Sequence, residues 1–132
     1  MSLKVKVITP DRIVWDISAE EIILPSSTGQ LGILNNHAPL LTALDVGVIR
    51  VKRGDFWLPL VLFGGIAEIN NNNVTILVNG AEEADNIDLL NAEKMLNQSI
   101  QSLNSAKTSK EKIEAIQNVR RFRARVQAAI CF

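Results

Sequence analysis

Apolar and polar residues alternate along the first two thirds of the chain. In "LKVKV", Leu3, Val5 and Val7 fall on one side of an extended strand and Lys4 and Lys6 on the other, and "VIRVK" repeats this with Ile49 and Val51 against Arg50 and Lys52. A period of two is that of a half-buried β-strand. Turn-forming residues interrupt the pattern at Pro10-Asp11, Pro25-Ser26-Ser27, Asn35-Asn36, Arg53-Gly54-Asp55, Gly64-Gly65 and Asn79-Gly80. Many short strands on so regular a beat predict a sandwich or barrel. The run Asn70 to Asn73 lies between "GGIAEI" and "VTILV". Asparagine tolerates the left-handed conformation that tight hairpins need, so this run predicts a turn.

After Ala84 the period lengthens to that of a helix. Leu89, Ala92, Leu96, Ile100 and Leu103 form one stripe, and beyond "AKTSK" a second runs through Ile113, Ile116, Val119, Phe122, Val126 and Ile130. Thr108 and Glu111 have the spacing of a capping box, which predicts the start of the second helix. Arg120, Arg121, Arg123 and Arg125 lie in its later turns, where cations favour the negative end of the helix dipole. So short a connection predicts antiparallel neighbours. The expected architecture is therefore an all-β sandwich domain over residues 1–85, followed by an α-helical antiparallel hairpin over residues 86–132. A two-helix hairpin buries little on its own, so it is expected to move relative to the sheet domain or to dock elsewhere.

Composition narrows the function. With 47% apolar residues in 132, the chain can build a core and is not a disordered segment. Fourteen Lys and Arg balance fourteen Asp and Glu, so the basic excess of a nucleic-acid binder is missing. The single Cys131 can form no internal disulfide, which suits a reducing compartment. Near the terminus, its thiol reads as a bystander. "MSLKVKVITP" has neither an apolar signal core nor a transit-like composition, so the protein is expected to work where it is made. The apolar run "FWLPLVLFGGIA" contains two glycines and a proline and falls short of the ~20 residues that span a bilayer. Membrane association is expected only through a partner.

Catalytic signatures are absent. One His and one Cys make no zinc cluster, and no GxxxxGK[ST], GxGxxG or GxSxG motif occurs. No catalytic residue, metal ligand or cofactor site is expected. His37 in "NNHAPLL" has the chemistry of a proton shuttle, but alone it reads better as a loop-packing or hydrogen-bonding residue. Gly29 and Gly32 read as turn or close-approach positions.

Charge is segregated in the hairpin. Glu82, Glu83, Asp85, Asp88 and Glu93 form an acidic stretch without a base, whereas residues 107–125 hold seven bases against Glu111 and Glu114. On one reading the two stretches pair, Glu93 with Arg121 and Asp88 with Arg125, and close the hairpin, each exposed pair contributing about 0.2–1 kcal/mol. On the other, an open hairpin offers its basic helix to an acidic partner. Nucleic-acid binding by "RRFRAR" is the weaker alternative, because only Phe122 is available for stacking.

Three ordered blocks, "GQLGILNNHAPLLTALDVGVIRV", "GGIAEINNNNVTILVNGAEEADNID" and a hairpin ending "RRFRARVQAA", resemble the epsilon subunits of rotary proton-translocating ATP synthases across nearly the whole chain. "VITPDRIVWD" and the Arg-rich ending are most similar to the plastid and cyanobacterial branch. The resemblance implies a non-catalytic rotor subunit on the stromal face of the thylakoid membrane, or its cytoplasmic face in a cyanobacterium. Its sandwich would grip the gamma subunit and sit on the c-subunit ring, with Thr28, Gly29 and Gln30 facing the ring. The hairpin would permit catalysis when folded down. Extended, it would place Arg120, Arg121, Arg123 and Arg125 toward the acidic region of the alpha and beta subunits and inhibit ATP hydrolysis. Some bacterial relatives bind ATP through an "IDxxRA" motif; here the segment is "IDLLNA", with Asn91 in place of Arg. An ATP-sensing hairpin using Asp88, Arg121 and Arg125 is the alternative implied by that likeness.

Overall fold

The structure, a computed structural model, describes residues 2–131 and the side chains of residues 2–130. The reading of the Cys131 thiol lies outside that range. The strands are β1 (Leu3–Ile8), β2 (Ile13–Ala19), β3 (Glu21–Ser26), β4 (Gly29–Leu34), β5 (Leu40–Arg53), β6 (Phe56–Asn70), β7 (Asn73–Val78) and β8 (Ala81–Glu83). A 3-10 turn at Ala84–Asn86 leads into α1 (Leu89–Ser105) and α2 (Ser109–Cys131). The fold is a β-sandwich followed by a two-helix hairpin, as the periodicities predict.

The strands pair in the order β2-β1-β7-β6-β5-β3-β4, with β8 added beside β6. Every neighbouring pair is antiparallel except β1 and β7. The long β5–β6 ribbon serves both layers of the sandwich. Its first portion of β5 lies against the end of β6, from Leu40 opposite Ile69 to Leu44 opposite Gly65, and there β6 also pairs with β7. The other portion joins Val46–Arg53 to Phe56–Phe63, and there β3 and β8 are the outer neighbours.

Between these portions the inward-facing set changes parity. Leu44, Ala67 and Ile69 enter the main core from the first portion; Ile49, Val51, Leu60 and Leu62 enter it from the second. The phase change falls at Asp45 and Gly64, the one position where the β5–β6 pairing is interrupted. Gly64 has φ +81, a conformation that favours glycine. Gly65 is constrained by space, since a Cβ there would lie 2.1 Å from the Leu77 carbonyl oxygen. The expected strand break at Gly64-Gly65 is thus a kink inside one continuous strand. Likewise Pro25 and Ser26 end β3 rather than interrupt it, and the turn proper is Ser27-Thr28.

The phase change explains the apolar run in β6. Leu60 and Leu62 pack in the main core, whereas Val61 and Phe63 belong to a second cluster on the opposite face. A strand covered on both faces carries no polar alternation. The "NNNN" turn forms as predicted: Asn70 pairs with Asn73, and Asn71 and Asn72 have φ +51 and +63. The Asn72 side chain also reaches the neighbouring loop, its Oδ1 accepting from the Asn36 amide at 2.6 Å.

The helix boundaries follow their caps. Asp88 caps α1 by accepting from Leu90 N at 3.1 Å. At α2, Glu111 N donates to Thr108 Oγ1 at 3.1 Å while the Glu111 carboxylate accepts from Thr108 N at 3.5 Å, giving the predicted capping box, and from Lys107 N at 3.0 Å. The buried face keeps Ala92 and Val119 of the predicted stripes and departs from them elsewhere. Ile113, Ile116 and Ile130 are exposed, and the fully covered α2 positions are Ala115, Val119, Ala124 and Ala128. On α1 they are Ala92 and Ser99. Small residues win these positions because they let the helices and the sheet approach closely, which larger isoleucines would prevent.

Substituting Gly65→Ala is expected to destabilise the sandwich by about 3 kcal/mol, because the backbone beside it cannot yield without strain. Gly32→Ala, where no atom lies within 4 Å of an added Cβ, should change stability by less than about 0.5 kcal/mol. Urea denaturation of both variants checks the contrast.

Candidate functional site

Two of the sequence-derived clusters are built very differently. Thr28, Gly29 and Gln30 lie at the tip of the β3–β4 hairpin, where Ser26 pairs with Gly29 across the two-residue loop Ser27-Thr28. Ser27, Thr28, Gly29 and Gln30 are all exposed. Gly29 has φ +123 with open space around its Cα, so its role is conformational. The tip is held from beneath by Ser26, a buried residue that the sequence reading passed over. Its hydroxyl donates to the Gly29 carbonyl oxygen at 2.6 Å and accepts from Thr28 N at 3.3 Å. A serine just before a tight turn was the available signal.

His37 sits in the loop after β4. Its Nδ1 lies 2.7 Å from the Ala38 carbonyl oxygen, and its backbone N–H donates to Leu34 O at 3.2 Å. These bonds suit the hydrogen-bonding reading. The brace between this loop and the β6–β7 turn comes from Asn36 and Asn72.

The second cluster is on α2, and the four arginines divide. Arg120, Arg121 and Arg123 are exposed and Arg125 is half-buried. Arg121 places its guanidinium carbon 4.7 Å from the centroid of the Phe63 ring, a cation–π contact. Arg125 is clamped by Glu82 on β8: Nε donates to Oε2 at 2.9 Å and a terminal nitrogen donates to Oε1 at 3.0 Å. This fork-on-fork pair is partly covered, with side-chain exposures of 17% for Arg125 and 28% for Glu82.

The pairing within the hairpin expected from charge does not form. Asp88 is occupied as the α1 cap, and Arg125 and Arg121 reach the sandwich instead. The reason is register. β8 sets Glu82 opposite Val61, on the sheet face that α2 covers. Val46 is paired with Phe63 and Val48 with Val61, and Ala124 and Ala128 lie over that apolar square. The ion pair and the cation–π contact therefore flank one small apolar contact between α2 and the sheet.

The turn and the arginines remain separate clusters. A groove of about 340 Å³ links their neighbourhoods, with Pro25, Gln30 and Arg50 on one side and Gln127 and Ile130 on the other. Asp88, Arg121 and Arg125, the residues of the nucleotide-binding alternative, are each engaged by a protein group. Among the described residues no group of three or more His, Cys, Asp or Glu is placed to hold a metal, and no helix is long and apolar enough to cross a membrane.

A third surface was not legible in the sequence. Along the outer face of the first layer, cross-strand neighbours Ala43, Ile66, Leu77, Ile8 and Ile13 form an unbroken apolar row. Ile66, Leu77 and Ile13 are 44%, 45% and 55% exposed. A continuous exposed apolar row is a candidate contact surface.

Comparison with known proteins agrees with this geometry. The family model for the ATP synthase delta/epsilon chain β-sandwich domain matches residues 2–84. The ATP synthase epsilon chain of Porphyra purpurea, a chloroplastic protein, is 67% identical over 129 residues, covering 98% of this chain and 96% of its own. The epsilon chain of a Cyanothece species is 57% identical over 136 residues, with coverage of 98% and 96%. A chain from the Euglena gracilis mitochondrial ATP synthase, imaged with OSCP, F1 and c-ring, superposes with TM-score 0.85 at 20% identity, covering 98% of this chain and 81% of that one. At that identity the likeness concerns the fold.

Replacing Ser26 with Ala is expected to cost about 1 kcal/mol and to speed amide exchange at Thr28, because the Gly29 carbonyl loses its buried partner. Thr28→Ala, at an exposed tip, should leave stability within about 0.5 kcal/mol of the parent. Thermal unfolding and hydrogen exchange read the two outcomes.

Proposed function

The chain belongs to the epsilon chains of ATP synthase, and from that premise we propose that it is a non-catalytic rotor subunit that couples c-ring rotation to ATP synthesis through gamma and restrains ATP hydrolysis with its hairpin. The exposed apolar row Ala43–Ile66–Leu77–Ile8–Ile13 carries the partner assignment. Among the described residues no element covers it, which leaves it free for the gamma subunit. The tip at Thr28, Gly29 and Gln30 contacts the c ring, a role suited to an exposed turn stiffened by Ser26. Residues 1–85 act as the gripping domain and residues 86–132 as the regulatory hairpin.

The chloroplastic and cyanobacterial relatives support a place on the stromal side of the plastid thylakoid membrane, or its cytoplasmic side in a cyanobacterium, with the membrane reached only through the complex. When extended, the hairpin presents Arg120, Arg121, Arg123 and Arg125 to acidic surfaces of alpha and beta. In the docked arrangement Arg120, Arg121 and Arg123 face solvent, Arg121 while stacked over Phe63, and Arg125 is paired with Glu82. An ATP-sensing hairpin has less support, since Arg125 is committed to Glu82 and Asn91 stands where the nucleotide motif has Arg.

Added to a catalytic head depleted of its own epsilon, the full chain is expected to bind gamma and lower ATP hydrolysis. A chain ending after Asp85 should still bind gamma and inhibit poorly. The double variant Ile66→Asp, Leu77→Asp should weaken gamma binding at least about tenfold, since two charges would be buried unpaired at the interface. Full-strength binding by that variant removes the apolar row from the interface, and equal inhibition by the truncated chain removes the hairpin from regulation.

A further inference from the structure

We infer that Glu82 and Phe63 form an internal latch that holds α2 on the sandwich by occupying Arg125 and Arg121, two of the cations the extended hairpin would present to an acidic partner. This deepens the proposal above and rests on its reading of the hairpin as a movable inhibitory element.

Three observations converge on the latch. The Glu82–Arg125 pair spans the sheet domain and α2 with two near-parallel hydrogen bonds of 2.9 and 3.0 Å. Among the described residues it is the ion pair of the structure, so the abundant charges of the hairpin elsewhere remain solvated. One helical turn away, Arg121 lies over Phe63, which with Val61 forms the β6 side of the apolar square. Finally, the apolar part of the contact joins Ala124 and Ala128, with Val126 and Ala129 at its border, to Val46, Val48, Val61 and Phe63 of the sheet. Two charge-dependent interactions flank that apolar contact, so part of the hold on α2 is electrostatic.

The arrangement makes docking and partner binding exclusive. Arg125 cannot give both forks of its guanidinium to Glu82 and to a second carboxylate, and Arg121 cannot keep its place over Phe63 once α2 departs. Glu82 thus mimics the acidic surface that competes for the same cation. Arg120 and Arg123, both exposed, are free to make first contact with that surface, while Arg125 and the exposed but stacked Arg121 leave Glu82 and Phe63 only on extension.

Glu82 is the side to alter, because changing it releases Arg125 without removing the cation. The full-length chain would carry Cys131→Ser and spin labels at Asp55→Cys and Gln117→Cys, both exposed positions. Glu82→Gln keeps the size of the side chain, and Phe63→Leu keeps its apolar character. Each is expected to raise the fraction of long label separations by about three- to tenfold, the weight of one partly desolvated charged contact. Rising salt should lengthen the separation in the parent and have less effect in Glu82→Gln. The exchange of Glu82→Arg with Arg125→Glu should restore the short separation, which a merely unfolded variant would not do. Unchanged separation in Glu82→Gln at low salt, or no recovery in the exchanged pair, overturns the latch. The same variants, added to an epsilon-depleted catalytic head, should inhibit hydrolysis more strongly than the parent. If the labels separate in Glu82→Gln while inhibition stays at the parent level, the latch stands and the inhibitory role of the hairpin falls.

Discussion

The structure turns on a single change of phase. At Asp45 and Gly64 the β5–β6 ribbon loses one pairing step, and the side chains that faced inward on one parity face inward on the other. Because of that switch, one ribbon contributes Leu44, Ala67 and Ile69 to the core from one layer and Ile49, Val51, Leu60 and Leu62 from the other. It also leaves Val46, Val48, Val61 and Phe63 facing outward together. Those four residues are the platform on which α2 rests. Were the alternation to continue unbroken, one half of the ribbon would turn its polar set inward, and the hairpin would have no apolar floor.

From that platform the rest of the regulatory geometry follows by adjacency. β8 is only three residues long, yet it aligns Glu82 with Val61 and so with the approaching face of α2. α2 answers with alanines at the closest points and arginines at the borders. Charge therefore acts between hairpin and sandwich rather than between the two helices. The outer apolar row lies on another surface of the same body, so a partner held there need not displace the hairpin directly, whereas the β3–β4 tip shares a groove with Gln127 and Ile130 of α2.

Much of this was legible where physics is local. Strand alternation, the Asn71-Asn72 turn and the Thr108–Glu111 cap depend on residues within a few positions of one another, and each appears where the sequence predicts it. What sequence pattern missed depends on distant partners. The kink at Gly64-Gly65 reads as a strand boundary because glycine pairs mark both. The stripe of Ile113, Ile116 and Ile130 outweighs Ala124 and Ala128 on any hydrophobicity count, although close approach favours the alanines. The Glu93–Arg121 and Asp88–Arg125 pairing assumed that opposite charges meet their nearest helical neighbours. It neglected that Asp88 serves as a cap and that β8 lies beside the floor of α2. The row from Ala43 to Ile13 emerges only once the strands are ordered in space, whereas Ser26 bonds only to Thr28 and Gly29 and was within reach of a local reading.

The parallel alliance of β1 with β7 sets the order in which this molecule can be made. Residues 4–8 pair with β2 on one edge and with residues 73–77 on the other, and Leu3, Val5 and Val7 are fully buried there. On a ribosome the first strand therefore waits, paired with β2 alone, until most of the sandwich has been synthesised. The nascent chain carries an open strand edge through that interval, and Lys4 and Lys6 on its alternate face are the residues that discourage a neighbouring chain from adding to it.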